Sequence, residues 1–171
     1  MSAGSSGDWQ VRPLTREIAA SQASALLAIH NLIPLVRWTC GDLLADTAGD
    51  RVYTSKWVRS RALFHRSTEE VGGLMIAYDR GPTDGFPHRS LYLHRGAVAR
   101  EHQGCGLGRL LFTSYFDSPR PDDGPHWLTL QTNAGSENRW IVDFYQRLGF
   151  RTEGIVEYPD KIDLLMSKRW V

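Results

Sequence analysis

The sequence predicts a mixed α/β domain, on three observations. Strand-like and helix-like segments alternate through its middle, one strand runs into a glycine-rich loop that opens a helix, and an extended pair closes the C-terminus. With 171 residues the chain fits one hydrophobic core, so the expected organisation is a polar, disordered start over residues 1–8 and a single domain over residues 9–171. A hydrophobic content of 42% is ordinary for a globular protein, and a net charge of +1 gives no global field toward nucleic acid or a membrane. The basic residues are nearly all arginine, which a GC-rich coding sequence produces without any functional demand. Two cysteines, Cys40 and Cys105, are too few for a disulfide framework and point to a reducing, cytoplasmic setting. Residues 1–8 lack the apolar core of a signal peptide, and no apolar run approaches the roughly 18 residues of a membrane-spanning helix.

Trp9 to Leu14 reads as the first strand, closed by Pro13 and Thr15. Thr15 is an N-cap candidate for a helix over Arg16 to Ile33, whose apolar residues recur at helical spacing up to Pro34. Leu35 to Val58 has no clear period; Leu43 to Ala45 suggests a short helix and Thr54 to Val58 an extended or helical turn. Arg61 to Arg66 and Val71 to Tyr78 form an expected hairpin turning near Thr68-Glu69-Glu70, although the alternation is imperfect. Asp79 to Pro87, with two glycines and two prolines, is a loop. Leu91 to Ala99 is a strand feeding the glycine loop, and Gly106 to Phe116 is the helix behind it. Trp127 to Leu130 is a strand, Asn138 to Leu148 a helix stopped by Gly149, and Arg151 to Glu157 with Ile162 to Met166 the closing pair.

The loop Gln103-Gly104-Cys105-Gly106-Leu107-Gly108-Arg109 carries most of the functional signal. Glycine permits positive φ and close approach of a ligand, and free N–H groups at a helix N-terminus make an anion site suited to a diphosphate. The dinucleotide fingerprint fails, because the position that needs its third glycine is Arg109, and the P-loop Gly-Lys-Ser/Thr is absent. The pattern that fits is Gln/Arg-x-x-Gly-x-Gly/Ala, met by Gln103, Gly106 and Gly108. This segment resembles the pyrophosphate loop of the GNAT acyltransferases. Downstream, Asn138, Phe144, Tyr145, Gly149 and Phe150 match that family's Asn-x-x-Ala-x-x-Phe-Tyr-x-x-x-Gly-Phe, with Ile141 in place of alanine. The resemblance runs from Leu63 to Met166 and is weakest before Tyr92.

The resemblance implies a mostly antiparallel sheet of six to seven strands, splayed between its central strands and flanked by about four helices. It implies acetyl-CoA as cosubstrate and a primary amine of a small molecule or peptide as acceptor. Tyr145 takes the place of the acid that protonates the departing thiolate. Ala97, Val98 and Ala99 take that of the strand pairing with pantetheine, with the Val98 N–H as oxyanion donor. Gln103 to Arg109 contact the diphosphate, joined by Asn133 or Asn138, since Asn138 stands farther from the preceding strand than is usual in the family. The general base stays open among His94, His65, Glu69, Glu70 and Glu101; His94 is nearest the backbone donors in sequence, and a solvent-facing strand histidine is the plain alternative. No metal is expected, because the six histidines show no ligand spacing. Cys105 in a phosphate-facing loop is not expected to form an acyl-enzyme.

Two other readings keep the fold. One uses aminoacyl-tRNA or a longer acyl-CoA as donor, with Arg51, Lys56, Arg59, Arg61 and Arg66 as a phosphate-binding stretch. The other is a non-catalytic acyl-CoA-binding module. The acceptor is expected to be set by residues 31–58 and 158–161, where Trp38, Trp57, Asp42, Asp46, Asp50 and Asp160 would suit a cationic or aromatic molecule. A homodimer is left open, since dimers are common in the family.

Overall fold

The computed structural model describes residues 6–171, and its elements follow the order that the sequence pattern predicts. They are β1 (Trp9–Pro13), α1 (Arg16–Ser21), α2 (Ala23–His30), α3 (Cys40–Leu44), β2 (Thr47–Ala48), β3 (Arg51–Val52), α4 (Lys56–Arg59), β4 (Arg61–His65), β5 (Val71–Arg80), β6 (Ser90–Val98), α5 (Leu107–Phe116), β7 (Trp127–Asn133), α6 (Arg139–Arg147), β8 (Arg151–Glu157) and β9 (Ile162–Arg169). The main sheet has seven strands in the order β1-β4-β5-β6-β7-β9-β8, mostly antiparallel, and β2 and β3 form a small separate ribbon. Among the described residues no helix is long and apolar enough to cross a membrane. The chain divides into two compact units, Met1–Tyr78 with Arg95–Ser118 and Asp79–His94 with Pro119–Val171.

In the first unit β1 pairs antiparallel with β4, and β4 with β5, with a register shift at Leu63/Phe64. Leu14, Ala19, Leu26, Ile29, Leu43, Phe64, Leu74 and Ile76 form its core. Every residue of β5 from Val71 to Tyr78 is buried, so both of its faces are covered and no apolar–polar alternation is visible in its sequence. The helix expected over Arg16 to Ile33 is two helices. Thr15 caps the first, accepting from the Ile18 N–H at 3.3 Å, and Ser21 Oγ donates back to the Ile18 carbonyl at 3.0 Å. Such back-bonding by serine bends helices, and the bend at Gln22 lets Ala19, Leu26 and Ile29 all bury. With α3 and α4 built from the aperiodic stretch, there are six α-helices among the described residues, against the four expected. Of the start expected to be disordered, Ser6–Asp8 are folded. Residues 1–5 lie outside the described residues, but Ser6–Asp8 form a 3-10 turn, and Arg66 donates to the carbonyls of Gly7 and Asp8.

In the second unit β7 pairs with β9 from Trp127↔Arg169 to Asn133↔Asp163, which carries both strands past their expected ends. β8 pairs with β9 around a bulge between Thr152 and Gly154 and is exposed almost throughout. β6 meets β7 in parallel at Leu91↔Leu128 and Tyr92↔Thr129, next to a 2.7 Å hydrogen bond between the hydroxyls of Ser90 and Thr129. Among the described residues the parallel register is given by these two pairs alone. Gly149 ends α6 at φ +90°, and the Phe150 N–H returns to the Tyr145 carbonyl at 3.0 Å.

Packing at the start of β5 tolerates no side chain. A Cβ on Gly72 would lie 2.3 Å from Cζ3 of the buried Trp9 ring. Gly72→Ala is therefore expected to lower unfolding stability by about 1–3 kcal/mol through overpacking, read as a shift in the urea midpoint at unchanged slope. A midpoint equal to wild type would show that Trp9 is not confined.

Candidate active site

The loop after β6 is built around two left-handed residues. Gly104 and Gly106 have φ of +80° and +82°, and nothing would lie within 4 Å of a Cβ at either. Glycine is needed there for backbone conformation, not for room. Gly108 differs: it lies within the first turn of α5 and is not among the residues of positive φ. Leu110 is the first residue of α5 to bond back, donating to the Gly106 carbonyl at 3.0 Å. Among the described residues the N–H groups of Gly104 through Arg109 have no backbone acceptor. With the helix dipole behind them, they have an arrangement that suits an anion. Leu107 buries its side chain and anchors the turn, while Arg109 is exposed. Cys105 is a free thiol, its Sγ 3.7 Å from the Gln103 carbonyl.

Side chains hold this loop to the sheet. Gln103 Nε2 donates to the Val98 carbonyl at 3.1 Å, tying the loop to the end of β6. His102 Nε2 lies 3.2 Å from Glu70 Oε1 and its ring meets Trp9 edge-on at 4.7 Å. The Ala99 N–H donates to the Gly72 carbonyl at 2.9 Å, and a Cβ on Gly73 would sit 3.0 Å from the Ala97 carbonyl oxygen. Glycines in β5 thus allow close approach of the Ala97–Ala99 backbone.

Most candidate bases are engaged in this scaffold. Glu69 pairs with Arg12 at 2.6 Å and Glu70 with His102. His65 meets Trp9 at 5.1 Å, and its Nδ1 lies 3.1 Å from Ser67 Oγ. Glu101 is exposed and joins Glu70 and His102 in one cluster whose ligand-type atoms lie within 4.8 Å. His94 is not the solvent-facing residue of the plain alternative: only 8% of it is exposed, and its ring tilts against Tyr92 at 5.5 Å.

The second unit carries Tyr145 on α6. The residue is half-buried between Phe144 and Phe150, and burial pushes its phenol pKa up to about 12. Asn133 and Asn138 bond to each other. Asn133 Oδ1 accepts from the Gly135 N–H at 2.7 Å and from Asn138 Nδ2 at 3.1 Å, forming the turn that enters α6. The Asn138 side chain makes no helix-capping bond.

The stretch expected to recognise a cationic acceptor is largely satisfied from within. Lys56, 1% exposed, donates to the carbonyls of Leu43 at 2.7 Å and Ala45 at 2.5 Å, with its Nζ 4.5 Å from the Trp57 ring, 5.2 Å from Tyr53 and 5.9 Å from Trp38. Asp42 and Thr39 form a capping box, and Asp46 accepts from Arg16 and from Trp57 Nε1. The aromatic residues therefore already enclose a cation of the chain's own. The supposed phosphate-binding stretch breaks up in the same way, since Lys56 is buried and Arg61 donates to the Ser114 carbonyl and to Ser118 Oγ. Sequence reasoning placed Lys56 in the phosphate-binding stretch and missed its enclosed position; the one signal for it is a lysine close in sequence to Tyr53 and Trp57.

Residues 57–152 match the family described as acetyltransferase (GNAT) domain. No curated protein matches the chain. Among solved structures, the ribosomal-protein-S18-alanine N-acetyltransferase of Escherichia coli is similar at 17% identity and TM-score 0.66, covering 95% of this chain and 94% of that one. Chaetomium thermophilum Naa20, in complex with a bisubstrate analogue, aligns at 19% identity and TM-score 0.70 over 94% of this chain and 86% of its own. Arabidopsis thaliana NAA60, in complex with acetyl-CoA, aligns at 17% identity and TM-score 0.67 over 94% and 99%. At these identities the likeness establishes a shared fold.

Burial lowers the Lys56 pKa to about 8, against an ordinary value of 10.5. Between those values the unfolded chain binds more protons at this site, so the contribution of Lys56 to stability rises with pH across that window. Relative to Lys56→Met, wild type is expected to gain about 1–2 kcal/mol between pH 8 and pH 10, measured by urea unfolding. A constant difference would mean that the lysine stays charged in its cage.

Proposed function

We infer the working of this site from the premise that the chain belongs to the acetyltransferase (GNAT) domain family and is an acyl-CoA-dependent N-acetyltransferase. Acetyl-CoA supplies an activated thioester, and the acceptor is a primary amine of a small molecule or peptide. The observation that carries the reading is the left-handed pair Gly104 and Gly106, which leaves the N–H groups up to Arg109 without backbone acceptors, in a form that fits a diphosphate. The neighbours in complex with acetyl-CoA and with a bisubstrate analogue support it.

The backbone of Ala97–Ala99 positions the cosubstrate's arm, and the Val98 N–H donates to the oxygen on which charge develops during attack. His94 accepts the proton that the amine loses. Tyr145 donates its proton to the leaving thiolate; a phenol with its pKa near 12 remains protonated throughout the neutral range and so is always ready to donate. Asn133 and Asn138 shape the turn before α6 and so support Tyr145. Transfer is direct, in a ternary complex, with positioning supplying much of the acceleration. The free thiols of Cys40 and Cys105 support a cytoplasmic setting.

Gly106→Val places a β-branched residue at φ +82°, a strain of roughly 1–2 kcal/mol that reshapes the concavity. It is expected to abolish the rise in melting temperature that acetyl-CoA gives to wild type, and an undiminished rise would contradict the assigned loop. Tyr145→Phe is expected to lower kcat about 100-fold with the KM for acetyl-CoA unchanged, measured by thiol release. Unchanged kcat would remove Tyr145 from the chemistry.

A further inference from the structure

Arg95 lies on β6, just before Gly96, Ala97 and Val98. Strand alternation puts its side chain on the same face as Ala97 and Ala99, which pack with Leu26 and Ile29 of α2. The residue is half-buried, and its Nε is buried without a hydrogen-bond partner. Among the described residues no carboxylate, carbonyl or ring partners its guanidinium. A partly desolvated cation with no anion is costly to keep; Arg12, by contrast, is paired with Glu69, and Arg61 donates to the Ser114 carbonyl and Ser118 Oγ.

Arg95 acts electrostatically on His30, whose other neighbours supply no partner to the guanidinium. His30, at the end of α2, is 0% exposed and stacks on Trp38 at 4.1 Å. Asn31 fixes its tautomer: Asn31 Nδ2 donates to the Trp38 carbonyl at 3.1 Å, so Asn31 Oδ1 accepts both from the Trp38 N–H at 2.9 Å and from His30 Nδ1 at 3.0 Å. His30 Nε2 is then a buried lone pair without a donor. Burial holds the His30 pKa down, and the positive charges of Arg95 and Arg37 add to that, so the ring is neutral near pH 7. Asp42 is the one anion acting on His30, and its Oδ2 already accepts from the Thr39 N–H and hydroxyl at 2.7 Å each. Arg37 donates to the carbonyls of Asn31, Ile33 and Val36 and reaches no carboxylate. Two cations and one carboxylate that is already bonded thus act on a neutral imidazole.

We propose that the amine acceptor carries a carboxylate and that the Arg95 guanidinium binds it; this rests on the transferase reading above and names its substrate class. A guanidinium matches a carboxylate bidentately, and the match is strongest where water is partly excluded. At about 3.3 Å per strand residue, Arg95 and the Val98 N–H are separated by roughly 10 Å along β6. That span suits a compact acceptor whose carboxylate lies a few bonds from the reacting amine. Two sources share this chemistry, a free amino acid with its own carboxylate and a peptide with an acidic side chain beside its N-terminus. Arg95 acts here on binding and specificity, not on proton transfer.

The test compares matched acceptors that differ only in the carboxylate. For free amino acids, alanine and glutamate are compared with their amides; for peptides, a pentapeptide amide with Glu at the second position is compared with its Gln counterpart. Acetyl-CoA-dependent thiol release is expected to give the wild type a KM about tenfold or more lower for the acid member of one pair, and the pair that responds identifies the source. Arg95→Gln is expected to erase that advantage without weakening acetyl-CoA binding, and Arg95→Lys to retain a smaller one. Equal KM values for acid and amide in wild type, or an advantage that survives in Arg95→Gln, overturns the proposal. Binding of the N-acetylated acid and N-acetylated amide products, followed by tryptophan fluorescence, decides the matter independently of turnover. If acetyl-CoA neither binds nor turns over, the transferase reading fails. Acid-selective product binding lost in Arg95→Gln would then still support Arg95 as the carboxylate receptor, and its absence in wild type would refute it.

Discussion

Two glycines held in the left-handed region, Gly104 and Gly106, set what the first unit can do. They turn the chain so that successive N–H groups precede α5 without backbone acceptors, an arrangement that is stable only if the ends of the turn are fixed. One end is fixed by Leu107 in the core and the other by Gln103, whose side chain holds the Val98 carbonyl. Behind the loop, His102 leans on Trp9 and reaches Glu70, and Trp9 in turn fits only because residue 72 has no side chain. The geometry of this glycine loop therefore depends on a close backbone approach in the sheet.

The second unit follows a similar economy. Asn133 and Asn138 are joined to each other at the turn into α6, and Gly149 stops that helix with a return bond to Tyr145. The side chains with the most polar character are spent on placing the helix, and burial keeps the Tyr145 phenol protonated. In residues 31–58 the pattern is more extreme. The lysine is a buried strut, and Asp42 and Asp46 serve a cap, an ion pair and an indole N–H. With those charges consumed internally, the unpaired guanidinium of Arg95 stands out.

How much was legible in the sequence follows from which forces leave a periodic trace. The glycine loop and the helices behind it were readable, because α5 and α6 each present one apolar face, α5 starting after Gly106 and α6 stopping before Gly149. The split of the first helix was not, because it turns on a single hydroxyl, Ser21, bonding back to Ile18. The alternation of β5 was blurred because burial on both faces removes it. Residues 35–58 gave no period because tertiary bonds hold them, chiefly those of Lys56 to the carbonyls of Leu43 and Ala45. The burial of His94 and the contacts of Asp46 and Trp38 were not legible for the same reason, since they depend on neighbours distant in sequence.

Amide-resolved NMR titration of the protein with coenzyme A addresses the central claim directly. The account predicts that the largest shifts fall on the N–H groups of Gly104 through Arg109, saturating with the ligand. Saturable binding that leaves those amides unmoved and shifts others instead would contradict it.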